Sequence, residues 1–315
     1  MTLLWILLGI AAFLALAVTV TAWVCYRIAF YASRKEPKVK EEYPLPVGDI
    51  YDPYRDIMVH WIKEVRKLPY DDIAIRSFDG LTLRGKYYEY APGAPIELMF
   101  HGYRGSAERD LSGGIERCFR VRRSALIVDQ RGCGRSGGHT ITFGILERRD
   151  CLSWLDYMQT RFGKDTTINL TGSSMGASTV LMAAGEPLPG NVVGVLADCG
   201  FTSAEDIIKK VIRSDMKLPP DLAYPFVQLG AKLFGHFDLD ETSALAAMQR
   251  CRLPVIFFHG DTDDFVPHEM SVRNHAACGA KKMLCTIPGA GHGLCYPVAP
   301  KVYLQALRDF FDPLL

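Results

Sequence analysis

The sequence predicts an α/β fold: a mostly parallel central sheet with helices on both faces, one transmembrane helix ahead of it, and a small helical cap inserted into it. Three observations predict this class. Short apolar runs recur and lead into loops bearing Gly, Asp or His: "IELMF" (96–100), "SALIV" (124–128), "TINL" (167–170), "VVGVLA" (192–197), "VIFF" (255–258) and "MLCTI" (283–287). Stretches of helical spacing alternate with them, as with Leu152, Leu155, Met158 and Phe162. Strand and helix alternating in this way indicate βαβ units, whose functional groups gather at the carboxyl ends of the strands. The chain beyond residue 53 is long enough for one large α/β domain, and it shows neither an internal repeat nor a low-complexity tract.

Residues 1–27 form the expected anchor. No charged side chain occurs before Arg27, and the apolar run is long enough as a helix to cross a hydrocarbon core of about 30 Å. A cleaved secretion signal would have a basic start and a shorter apolar run. Trp23 and Tyr26 stand where an interfacial aromatic belt would lie, so residues 3–26 are expected in the bilayer. Arg27, Arg34, Lys35, Lys38 and Lys40 follow the span with only Glu36 among them, which predicts a single-pass protein with its C-terminal domain facing the cytoplasm. Nine cysteines without a C-x-x-C pair agree with a reducing compartment, and no structural-zinc spacing of His and Cys is present. The formal net charge of +1 gives no global basic field, so no nucleic-acid partner is expected.

Residues 28–53, charged and Pro-containing, read as a linker. A helix is expected over 54–68, where Ile57, Trp61, Val65 and Leu68 share one face and Pro69 stops the run. Two alternating segments around Asp79-Gly80 predict a hairpin. The strand–helix units follow, all within one domain at 54–315. Residues 200–252 interrupt the rhythm with helical pieces, prolines and the aromatics Tyr224, Phe226, Phe234 and Phe237. They are expected either to cap a pocket or to form a crossover with an extended loop.

Gly172-Ser173-Ser174-Met175-Gly176 fits G-x-S-x-G and lies between an expected strand and an expected helix. In that context a sharp turn strains Ser174 and exposes its hydroxyl, while the Met175 N–H faces a developing negative charge. A serine needs a base, and the base needs an orienting acid. In the chain order Ser, acid, His, the base follows the acid, which sets aside His60, His101 and His139. His292 sits in the glycine-rich loop "PGAGHGL", whereas His268 and His275 fall in an expected helix and His236 on the cap. "FFHGDTDDFVP" offers Asp261, Asp263 and Asp264 at a strand end. Asp263 is the first choice, Asp264 the second, and Asp198 on the neighbouring strand end the alternative. In "FHGYRGS" the Tyr103 N–H is the natural second oxyanion donor, His101 a turn-stabilising imidazole and Arg104 a loop-surface charge.

Taken in order, "HGYRG", "DQRGCGRSGG", "GSSMG", "HGDTDDFVP" and "GAGHG" resemble the α/β-hydrolase superfamily over about residues 70–315, within it the lysophospholipase, monoglyceride-lipase and small-esterase branch. The resemblance implies Ser174 as nucleophile, Asp263 as acid, His292 as base, and Tyr103 and Met175 as main-chain oxyanion donors. It implies a serine hydrolase of carboxylic esters, acylglycerols or lysophospholipids among them, with no metal or organic cofactor. A peptidase or amidase with the same triad, and a binding protein that keeps the fold without turnover, are the two alternatives. Serine at position 174 excludes the dehalogenase chemistry that needs aspartate there.

Overall fold

Seven of the eight strands run in one direction, with only β2 opposed, and the topology follows from that. The computed structural model describes residues 1–33 and 42–312. The expected hairpin forms β1 (Asp71–Arg76) and β2 (Thr82–Tyr88), antiparallel with Arg76 opposite Thr82 across the Asp79-Gly80 turn. They are followed by β3 (Ile96–Phe100), β4 (Ser124–Asp129), β5 (Ile168–Ser173), β6 (Val192–Asp198), β7 (Val255–Gly260) and β8 (Lys282–Ile287). The spatial order is β1-β2-β4-β3-β5-β6-β7-β8, with β2 antiparallel to β4 and every pair beyond that parallel. Strands β3, β4 and β7 are buried along their whole length, which is why they read as unbroken apolar runs rather than alternating ones.

The helices divide between the two faces. Helices α2 (Arg55–Val65), α3 (Ala107–Arg120) and α11 (Pro300–Phe311) cover one face. On the other lie α4 (Glu147–Phe162), α5 (Met175–Ala183), α8 (Ala244–Arg250) and α9 (His268–Ala277). A short α10 (Cys295–Val298) precedes α11. Glu97 is the one acidic residue of the "IELMF" run and is fully buried on β3. Arg117 of α3 donates two hydrogen bonds to its carboxylate, at 3.1 and 2.6 Å, and Arg123 and the Thr171 hydroxyl donate at 3.1 and 2.8 Å. Burial alone would raise the Glu97 carboxyl, but the two guanidinium groups outweigh it and hold it at about 2. This cluster fastens α3 to the sheet beneath the site described below.

The apolar N-terminal run forms α1 (Thr2–Ala29), with a mean hydropathy of 2.7 over its most apolar window. Residues 1–21 are exposed, and burial then returns at helical spacing: Ala22, Tyr26 and the following Phe30 face the domain. Tyr26 therefore departs from the interfacial belt expected of it. Its hydroxyl is 2.8 Å from Thr140 Oγ1, and its ring lies 6.1 Å from that of Phe234. Trp23 stays half exposed, with the Arg27 guanidinium over its ring.

Residues 200–252 form α6 (Ala204–Ser214), α7 (Pro220–Gly230), a π-turn (Ala231–Gly235) and α8, between β6 and β7. Their apolar side chains seat α1. Phe237 packs edge-on against Phe30 at 5.2 Å, and a Cβ on Gly230 would come within 2.4 Å of the Ala22 carbonyl, so the close helix crossing requires glycine there. Of the expected 28–53 linker, residues 34–41, with Arg34, Lys35, Glu36, Lys38 and Lys40, lie outside the described residues. The rest of it packs against the domain: Phe30 and Leu45 are buried, and a 3-10 turn (Asp49–Tyr54) leads directly into α2.

Candidate active site

Strand β5 delivers Ser174 into α5 through a turn that only small neighbours allow. Ser174 adopts φ 54° and ψ −120°, a conformation that costs an L-residue of order 1–3 kcal/mol and is held by its surroundings. A Cβ on Gly172 would meet the Gly176 carbonyl oxygen at 2.1 Å, and one on Gly176 would meet that of Phe100 at the same distance. Both glycines of the motif are thus steric necessities. The Ser174 N–H donates to the Asp198 carbonyl at 2.8 Å, which ties the turn to β6.

The structure brings Ser174, Asp263 and His292 together from three loops at the carboxyl end of the sheet. His292 Nε2 lies 2.9 Å from Ser174 Oγ, and His292 Nδ1 lies 2.7 Å from Asp263 Oδ2. Asp263 Oδ1 accepts the Phe265 and Val266 N–H groups at 3.0 and 2.8 Å. Its second oxygen is shared with His259 Nε2, at 3.1 Å. Burial pushes the Asp263 carboxyl up, but hydrogen bonds from His259 and His292 outweigh that and hold it well below the usual carboxylate range. Asp263 is therefore an anion that accepts four bonds. His292 Nδ1 must carry the proton facing it, which leaves Nε2 free to accept from the serine.

The other aspartates go elsewhere. Asp264 is exposed, Asp261 accepts the Gly289 N–H at 2.7 Å, and Asp198 accepts the Tyr303 hydroxyl at 3.0 Å. Among the remaining histidines, His101 is buried: Nε2 accepts the Gln130 N–H at 3.0 Å and Nδ1 faces the Gly102 carbonyl at 2.7 Å, a turn-stabilising role. His139 stacks on Tyr31, and His268 reaches Thr286 Oγ1.

His259 is the residue the sequence reading passed over. It is fully buried at the end of β7, where Nε2 faces Asp263 and the Val266 carbonyl and Nδ1 faces the Ser271 hydroxyl at 2.7 Å. Two acceptors at Nε2 require the proton there, so the ring holds Asp263 in place. The signal was available: a histidine ending an apolar strand, four residues before the aspartate.

Met175 follows Ser174 directly, and Tyr103 follows Gly102, whose backbone lies against Ser174. Met175 opens α5, and a Cβ on Gly102 would sit 3.5 Å from Ser174 Cβ. Neither the Tyr103 nor the Met175 N–H has a hydrogen-bond acceptor among the described residues. Gly102 N–H donates to Asp110 Oδ2 at 3.1 Å, and Arg109 clamps that carboxylate at 2.6 and 3.2 Å. Arg104 is exposed, as expected of a loop-surface charge, and its guanidinium donates to the Ile28 and Tyr31 carbonyls at 2.7 and 3.2 Å.

A cavity of about 550 Å³ opens beside Ser174 and His292. Met58, Trp61, Met99, Leu111 and Leu196 make an apolar wall, and residues 46–51 form part of its rim. No lining residue comes from 200–252, where Tyr224, Phe234 and Phe237 pack into the core. Cys199, Asp263 and His292 offer ligand atoms within 4.8 Å of one another. A metal does not fit this set: Asp263 and His292 are hydrogen-bonded directly, and burial raises the Cys199 thiol well above its ordinary value, leaving it protonated.

No family model matches the chain. The uncharacterized protein YqkD of Bacillus subtilis is 28% identical over 189 residues, 60% of this chain and 62%, under two thirds, of that protein. Among solved structures, the Pyrococcus furiosus esterase Pf2001 superposes with a TM-score of 0.65 at 20% identity, over 87% of this chain and 99% of that one. Est1E from Butyrivibrio proteoclasticus, with ferulic acid bound, gives 0.58 at 20% identity over 77% and 98%. The chain has the α/β-hydrolase fold.

Proposed function

We propose that this α/β-hydrolase-fold chain is a membrane-anchored serine hydrolase that cleaves carboxylic esters through an acyl-enzyme. Ser174 Oγ attacks the ester carbonyl carbon as its proton passes to His292 Nε2, and Asp263 stabilises the imidazolium. The Tyr103 and Met175 N–H groups take the charge on the carbonyl oxygen. His292 then gives the proton to the departing alcohol, leaving an acyl-Ser174 ester. Water, deprotonated by the same nitrogen, attacks that ester, and Ser174 leaves with the proton. The observation that carries this reading is the Ser174 Oγ to His292 Nε2 distance of 2.9 Å with the serine held at φ 54°.

The largely apolar cavity supports acylglycerols or lysophospholipids, as in the lysophospholipase and monoglyceride-lipase branch, over small polar esters. The exposed part of α1, residues 2–21, is roughly 30 Å long at 1.5 Å per residue, which matches the hydrocarbon core and supports a single-pass anchor. The basic residues after it support a cytoplasmic catalytic domain.

The test uses the full chain in detergent, because residues 30 and 46–51 belong to the core and the cavity rim. The wild type is expected to hydrolyse p-nitrophenyl esters, and Ser174→Ala to lose at least about 10³-fold in kcat. Equal turnover by both would remove the serine mechanism. Turnover of peptide naphthylamides in preference to esters would favour the amidase reading instead.

A further inference from the structure

The last turn of α1 offers carbonyl oxygens that no later turn of helix can satisfy. The loop that carries Tyr103 satisfies two of them. The Tyr103 hydroxyl donates to the Ala29 carbonyl at 2.7 Å, and Arg104 Nη2 donates to that of Ile28 at the same distance. The Phe30 carbonyl accepts the Ile141 N–H at 2.8 Å. Phe30 is fully buried and packs edge-on against Phe143 at 5.8 Å, and Phe143 packs in turn against the Tyr103 ring at 5.1 Å. Arg104 itself sits at φ 52°, a left-handed conformation that a non-glycine residue keeps only when its surroundings hold it. Its cation at a helix C-terminus, where the dipole is negative, supplies part of that hold.

On the inner side, Asp110 fixes the same loop through the Gly102 N–H. Residues 102–104 are therefore slung between a carboxylate of α3 and the end of the membrane helix. We infer that the C-terminal turn of α1 is a positioning element of the active site, setting the Tyr103 N–H on the oxyanion through the Tyr103 hydroxyl and Arg104. Acyl transfer then depends on these particular bonds to the end of the membrane helix, and the anchor is a working part of the site as well as a tether.

This inference rests on the serine-hydrolase reading. The test compares full-length variants in the same detergent, reading kcat, KM and Tm on one p-nitrophenyl ester. Tyr103→Phe keeps the ring and the backbone N–H and loses the hydroxyl that bonds to Ala29. With Arg104→Ala it is expected to lower kcat about tenfold or more while KM stays within about twofold, since misplacing a catalytic group by an ångström costs up to about 10². Tyr26→Phe removes a different bond between helix and domain, the one to Thr140, and is expected to keep wild-type kcat. The inference is overturned if Tyr103→Phe keeps wild-type kcat, or if Tyr26→Phe lowers kcat as much as Tyr103→Phe does. Ser174→Ala tests the underlying reading separately: if it retains turnover, the hydrolase reading fails whatever Tyr103 does.

Discussion

Ser174, Asp263 and His292 lie far apart in the chain, yet each carries a local signal. Ser174 has a glycine on either side of its turn, Asp263 follows a strand end, and His292 sits in a glycine-rich loop. What the sequence does not separate is Asp263 from Asp264, because adjacent carboxylates at a loop differ only in where the backbone points them. In the structure one is buried under four hydrogen bonds and the other faces water. Asp263→Asn is expected to lower kcat by about 10⁴, as the orienting acceptor for His292 is lost. Asp264→Asn is expected to stay within about twofold, and steady-state kinetics of the two variants measures the difference directly. His259 escaped notice because a histidine inside "VIFFHG" reads as the end of an apolar strand, and only packing reveals that it grips the aspartate.

At the scale of elements, the alternation of apolar runs and helical stretches makes the sheet legible strand by strand. The Glu97 cluster is not legible, because a lone acidic residue in a strand gives no sign of which cations reach it. Two arginines from α3 and the loop after it do so through tertiary packing. The folded pKa of Glu97, about 2, lies below an unfolded value near ~4.3. Its contribution, on the order of 3 kcal/mol, is therefore full above about pH 5 and is lost as the pH falls toward 2. Denaturant melts across that window are expected to show the loss in the wild type and a flatter profile in Glu97→Gln. That variant should also be less stable at neutral pH by about 3–5 kcal/mol, since it leaves buried guanidinium charge uncompensated. A wild-type profile in Glu97→Gln would show that the cluster contributes nothing.

At the scale of the whole molecule, composition misled where a segment is polar in sequence but packed in space. Residues 28–53 have a linker's prolines and charges, yet their described ends fill the core at Phe30 and rim the cavity at residues 46–51. The aromatics of 200–252 fit a cap or a crossover equally in sequence; in space Phe234 and Phe237 help build the seat for α1. One consequence separates the two halves of that helix. A chain starting at residue 22 keeps the Ala22, Tyr26 and Phe30 face, and is expected to fold with a melting temperature near that of the full chain. One starting at residue 34 strips Phe143 and Phe237 of their partner and is expected to lose about 3–5 kcal/mol, the cost of deleting a buried phenylalanine. Thermal melts of the two truncations give the comparison, and equal stability would mean that the helix end merely rests on the domain.

The central claim is that the Ser174 hydroxyl is an activated nucleophile, and fluorophosphonate labelling of the full chain followed by peptide mapping tests it most directly. The account predicts a single covalent adduct on Ser174, abolished in Ser174→Ala and strongly slowed in His292→Ala. An unlabelled wild type, or an adduct on any other residue, would contradict it.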